Sequence, residues 1–213
     1  MNYTKFNIET WLRKEHYNTY EKTINCGFSL TSKIDITNLK KHIDSNGYKF
    51  YPTIIYLLSR VANTYKEFRF ANKNGELILW DKVNLSFTIF HKETETFSSL
   101  WCEYSSEMTI FMDSYHQQVT LYKDNFKLYP QPQQIDNVFY VSSLPWVSFD
   151  SFNLNIADSR NIYTPIFTMG KYYSEGNKIW LPLSVQVHHA VCDGFHVGKF
   201  LTTLQKLCDE LPH

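Results

Sequence analysis

Residues 181–196 read LPLSVQVHHAVCDGFH, and this stretch holds a strand, a turn and the start of a helix. Ile179, Leu181, Leu183, Val185 and Val187 alternate with Trp180, Pro182, Ser184, Gln186 and His188, the two-residue period of a strand with one face in the core. Carried one step further, the period sets His189 on the apolar side and turns His188 the other way. Desolvation there disfavours an imidazolium and keeps His189 neutral, the state a general base needs. Asp193 follows four residues later beside Gly194, where the chain must turn into its last helix. Strained dihedrals gather at active sites, which makes this turn a candidate for one. His188, His189 and Asp193 could also be read as metal ligands. Adjacent strand residues face opposite ways, however, so no metal site is expected.

Outward from this stretch, the last helix spans about 194–210 and presents Val197, Phe200, Leu201, Leu204, Leu207, Cys208 and Leu211 to a core. Strands are expected near 24–34, in ELILW, VNLSFTIFH and FSSLWCEY between 76 and 103, and near 138–144, 164–173 and 178–188. Ile8, Trp11, Leu12 and Tyr20 mark a short opening helix over 8–21. Asp35 or Thr37 can cap a helix that stops at Gly47, and Pro52 begins one carrying Ile54, Ile55, Leu58, Val61, Ala62 and Tyr65. Met108, Phe111, Met112, Tyr115, Val119 and Tyr122 stripe another over 105–123, the methionines as core filler. Strands in runs, with helices that do not strictly alternate, give an α+β class: a two-layer sandwich of a large mixed sheet with helices packed on it. DNFKLYPQPQQIDN at 124–137 reads as a surface connection and not as a flexible linker, so residues 1–213 are taken as one domain.

Lys+Arg and Asp+Glu each total 21, so binding driven by counterion release from nucleic acid, or by a charged membrane surface, is not expected. The N-terminus has no apolar h-region and no run reaches a membrane span, which reads as cytoplasmic. Cys26, Cys102, Cys192 and Cys208 are scattered without a CxxC pair and read as reduced thiols. The absence of a fixed-period repeat excludes solenoids, propellers and hexapeptide-repeat acetyltransferases. Aromatic residues make up 17% of the chain, more than a minimal core needs, which suggests that some line a pocket or a subunit contact.

The run His188-His189-Ala190-Val191-Cys192-Asp193-Gly194 has the HHxxxDG form of CoA-dependent acyltransferases, and QVHHAVCDGFH closely resembles the chloramphenicol acetyltransferase family. WLRKEHY at 11–17, CGFSLTSKIDIT at 26–37, YKFYP at 48–52, FHKETETFS at 90–98 and SSLPWVSFDSFNLN at 142–155 agree with that family in order and spacing, so the resemblance covers essentially the whole chain. It implies acetyl transfer from acetyl-CoA to the 3-hydroxyl of chloramphenicol, with His189 as direct base, no acyl-enzyme, and Ser142, not Ser143, stabilising the oxyanionic intermediate. It implies that Asp193 pairs with Arg13 and supports the active-site segment. Tyr20, Cys26, Phe28, Phe97, Leu154, Ile166 and Thr168 would receive the acceptor. Lys49, Tyr51, Trp146, Lys171 and Tyr172 would bind CoA. No permanently bound cofactor is implied, and the assembly would be a homotrimer with active sites between subunits. Thr19, Ser86, Tyr140 and Ile162 depart from the family pattern. An acyltransferase with another hydroxyl acceptor, and a ligand-sequestering trimer without turnover, are the alternatives.

Overall fold

The computed structural model describes residues 2–158 and 160–210. Its strands are β1 (Tyr3–Lys5), β2 (Gly27–Asp35), β3 (Phe70–Lys73), β4 (Glu76–Trp80), β5 (Asn84–His91), β6 (Thr96–Cys102), β7 (Val138–Leu144), β8 (Ile166–Gly170), β9 (Tyr173–Glu175) and β10 (Lys178–His188). The α-helices are α1 (Lys14–Asn18), α2 (Thr37–Asn46), α3 (Phe50–Thr64), α4 (Met108–Tyr122) and α5 (Gly194–Asp209). The large sheet runs β2-β10-β8-β7-β5-β6, with β9 added to β10, and a small sheet runs β1-β4-β3. In the large sheet β8–β7 and β7–β5 are parallel and the other pairs antiparallel, so the sheet is mixed. The fold is α+β, helices against a large mixed sheet.

The two faces of that sheet differ in chemistry. Leu183, Val185 and Val187 lie level with Met169, Phe167, Val141, Phe139, Leu85 and Phe87 on a face that is buried throughout. Phe200 of α5 stacks on Phe167 at 4.8 Å and meets Phe68 at 4.7 Å, which fixes the helical layer to this side. The opposite face carries two polar rows across the strands. One is Thr31–Ser184–Thr168–Ser142, the next Ser29–Gln186–Ile166–Tyr140–Ser86. Two of the departures from the family pattern, Ser86 and Tyr140, are thus direct register partners.

Local chemistry explains the helix ends. Asp35 Oδ1 accepts the Thr37 N–H at 3.0 Å and its hydroxyl at 2.6 Å, which caps α2 from one residue outside it. Gly47, at φ +70°, supplies the left-handed residue that ends the helix. Pro52 sits in the first turn of α3, where its missing N–H does no harm.

Two expectations need correction. The opening segment is not one amphipathic helix: a 3₁₀ turn at Ile8–Thr10, the short α1 and a π-helical turn at Thr19–Thr23 follow one another. Each break re-aims the side chains, so Leu12, expected on the apolar face, is 99% exposed. Strands β1 and β3 were not expected; they are too short to show a period and exist through pairing with β4. The 124–137 segment is irregular, as expected, but it also covers the outer edge of β6. Gln131 accepts the Trp101 N–H at 2.7 Å and donates to its carbonyl at 2.8 Å, while Ser99 N–H reaches Leu128 O at 2.7 Å. Leu211 lies outside the described residues. All four cysteines are free thiols.

Candidate active site

β10 stops pairing at His188, and residues 189–192 turn before α5 begins. This turn takes His189 out of the two-residue period, while His188 keeps its place on the opposite face of the strand and is covered there by Glu21 and Tyr163. His188, not His189, is the buried imidazole, with side-chain exposures of 1% and 29%. The desolvation expected at His189 therefore acts on its neighbour: burial, with a smaller contribution from His189, pushes the His188 pKa down to about 4. His188 Nδ1 accepts the Ala190 N–H at 3.2 Å, so the neutral ring carries its proton on Nε2, which faces Glu21 Oε2 at 3.7 Å.

His189 is held by its surroundings on several sides. Its N–H donates to Cys26 O at 2.9 Å, continuing the β2 contact one residue past the strand end. Its ring stacks on Tyr20 at 3.8 Å and 7° and meets the edge of Phe28 at 5.2 Å. The π-helical turn supplies both contacts to the histidine pair, because Tyr20 reaches His189 and the next residue, Glu21, reaches His188. Asp193 Oδ1 lies 3.2 Å from His189 Nδ1 without the alignment of a hydrogen bond, and Nδ1 is buried, which leaves Nε2 as the ring nitrogen open to a substrate.

Arg13, just ahead of α1, binds the turn as a unit. Its guanidinium pairs with Asp193 Oδ2 and donates to the carbonyls of His189 at 3.2 Å and Ala190 at 3.4 Å. Asp193 is also the N-cap residue of α5, and its N–H donates to His196 Nδ1 at 2.9 Å. Arg13 and Asp193 are thus paired beside the turn that carries His189.

Ser142 lies elsewhere in the same chain. With Tyr51, Phe97, Trp146, Lys171 and Tyr172 it lines a cavity of about 630 Å³ between the sheet and the start of α3. Ser142 is level with Ser184, two strands away from β10, and His189 lies five residues beyond Ser184, just past the end of β10. At about 3.3 Å per residue and 4.8 Å per strand, the two residues stand roughly 19 Å apart. The expected acceptor residues divide in the same way. Tyr20, Cys26 and Phe28 surround His189. Phe97 lines the Ser142 cavity. Leu154 is an exposed loop residue, Ile166 borders a small void beside His188, and Thr168 is buried in register with Ser142.

Of the expected CoA residues, Lys49 does not line the cavity; it is the exposed N-cap of α3. Tyr51 is half-buried, with its hydroxyl donating to Thr88 O at 3.3 Å and its pKa raised by burial. Trp146 is 59% exposed and packs edge-on against Phe90. Phe90, Phe97 and Trp146, all exposed, line this cavity.

Sequence reasoning missed the layer behind the histidines. Tyr163 bonds the Tyr17 hydroxyl at 2.9 Å, and Glu21 Oε1 accepts the Asn161 N–H at 3.2 Å. These residues are far apart in the chain and carry no spacing signal. Among the described residues no group of three or more His, Cys, Asp or Glu could hold a metal, and no helix is long and apolar enough to cross a membrane.

This arrangement of sheet, helices and histidine turn is an acyltransferase fold. It is similar to a solved chloramphenicol acetyltransferase (TM-score 0.84, 22% identity, 97% of this chain and 100% of that one). It is also similar to the truncated catalytic core of the 2-oxoacid dehydrogenase multienzyme complex from Thermoplasma acidophilum (TM-score 0.71, 13% identity, 95% and 96% covered). The family model described as chloramphenicol acetyltransferase matches residues 1–205, and the chain belongs to that family. Chloramphenicol acetyltransferase 3 of Escherichia coli is 54% identical over 98% of both chains. Chloramphenicol acetyltransferase 2 of Haemophilus influenzae is 50% identical over 99% of both, and the Proteus mirabilis enzyme 50% identical over 95% of this chain and 93% of its own.

Proposed function

We propose that this chain, acting as a single cytoplasmic domain, transfers the acetyl group of acetyl-CoA to the 3-hydroxyl of chloramphenicol. The observation that carries this reading is the near-complete match, at about half identity, to enzymes named for that reaction. His189 Nε2 takes the hydroxyl proton, and the oxygen attacks the thioester carbonyl. The resulting oxyanion is met by the Ser142 hydroxyl. Collapse breaks the C–S bond, and the imidazolium returns its proton to the leaving CoA sulfur. Arg13 and Asp193 hold the turn that carries the base. Lys171, Tyr172, Tyr51, Trp146 and the exposed Lys49 bind CoA, and Tyr20, Cys26, Phe28, Phe97, Leu154, Ile166 and Thr168 receive the acceptor.

The roughly 19 Å between His189 and Ser142 within one chain is too long for any single step. It supports an active site between subunits, with His189 of one facing the Ser142 cavity of the next, and the family resemblance makes that assembly a homotrimer.

The test is release of free CoA thiol from acetyl-CoA with and without chloramphenicol, for wild type and His189→Ala. Thiol release should require the drug and vanish in the variant. A folded wild type that binds chloramphenicol but releases no thiol would make the chain a sequestering protein, and one that binds none would move the search to other hydroxyl acceptors.

A further inference from the structure

The polar face of the sheet grips one loop. Residues 150–157 have no regular structure, yet their backbone is held by side chains from the two polar rows. From the first row, Ser184 Oγ donates to Phe152 O at 2.7 Å, and Thr31 Oγ1 accepts the Phe152 N–H at 3.3 Å. From the second, Gln186 Oε1 accepts the Leu154 N–H and its Nε2 donates to Leu154 O, both at 3.0 Å. Ser29, the cross-strand partner of Gln186, donates to Asn153 Oδ1 at 2.6 Å. Alternate loop residues, 152 and 154, are thus bound as a paired strand would bind them, but by side chains standing on the sheet.

Gln186 makes the most specific of these contacts. A primary carboxamide has the acceptor and donor in one plane, as a peptide unit has, and here both engage one residue's N–H and C=O. Leu154 itself is 42% exposed, so little packing fixes its position. The grip also ties the loop to the row holding Ser142 and Thr168, because Ser184 is the neighbour of Thr168 in that row.

We infer that Gln186 is a positioning residue for the acceptor pocket: its carboxamide sets the place of Leu154 and hence the affinity for chloramphenicol, without touching either substrate. The inference rests on the acetyl-transfer reading and names a determinant of its acceptor site. It separates two kinetic constants. Loss of the two bonds to Leu154, together with the 3.3 Å bond that Gln186 Oε1 accepts from Ser29 Oγ, should raise KM for chloramphenicol by about tenfold while leaving KM for acetyl-CoA and kcat within about twofold.

The experiment is steady-state kinetics on the full chain with both substrates varied, for wild type, Gln186→Ala and Gln186→Met, the last keeping length without the amide. Amide hydrogen exchange of peptides covering 150–157 and β10 is followed in parallel. Both variants should raise the acceptor KM selectively and speed exchange in 150–157 but not in β10. Equal changes in both KM values and kcat, or Gln186→Met behaving as wild type, would overturn the assignment. If wild type shows no drug-dependent thiol release, the acetyl-transfer reading fails first. Unchanged exchange in 150–157 would then sink the clamp as well, and faster exchange would leave Gln186 as a clamp for whatever ligand the loop serves.

Discussion

Replacing Arg13 with alanine tests how the active-site turn is held. The guanidinium contacts three acceptors, the Asp193 carboxylate and the carbonyls of His189 and Ala190. Breaking a fully buried ion pair destabilises by about 3–5 kcal/mol. The side chains here are 14% and 28% exposed, so water screens part of that and about 2–3 kcal/mol remains. The two carbonyl bonds are long and add about 0.5 kcal/mol each. The sum, about 3–4 kcal/mol, corresponds to a fall in Tm of roughly 10 °C for a chain of this size. Because the residues released are those that carry His189, kcat should fall by tenfold or more on the scale of misplaced catalytic groups. The assay is thermal unfolding at fixed protein concentration, since assembly couples stability to concentration, together with thiol-release kinetics. Asp193→Asn should give a smaller loss, and the Arg13→Ala/Asp193→Asn double variant little more than Arg13→Ala, because the two residues share one interaction. A Tm within about 2 °C of wild type with unchanged kcat, or additive losses in the double variant, would refute the account.

Acidification should destabilise the protein through His188. Its folded pKa, about 4, lies below the ordinary histidine value of 6.5, so the unfolded chain binds the extra proton. The contribution is fully present above pH 6.5 and is lost as pH falls from there towards 4. It amounts to about 3 kcal/mol at most, and denaturant unfolding of wild type and His188→Asn across this window should show a flatter slope in the variant. Ser142→Ala should lower kcat by about 10²- to 10³-fold with both KM values near wild type; a loss confined to KM would remove Ser142 from oxyanion stabilisation. Phe200→Ala deletes a ring that is fully buried between Phe68 and Phe167 and should destabilise by about 3–5 kcal/mol, read by urea unfolding.

Much of the fold was legible because its signals are local. The period of residues 179–188, the Asp35 cap, Gly47 and Pro52 each act within a few residues, and the structure keeps the elements they mark. The HHxxxDG run and the segments in register with it were enough to indicate the family. The exposure of each histidine was not legible. His188 keeps the period of its strand but is covered by Glu21 and Tyr163 from far away in the chain, and His189 lies past the strand end, where the period no longer applies. The Glu21–His188 contact, the separation of Ser142 from His189 and the grip of Gln186 on Leu154 depend on residues between 32 and 167 positions apart. Strand order decides which residues become neighbours, and strand order follows from burying one whole face of the sheet. The sequence by itself thus determined which chemistry is available, while only the tertiary packing decided which histidine is desolvated and which side chains hold the other in place.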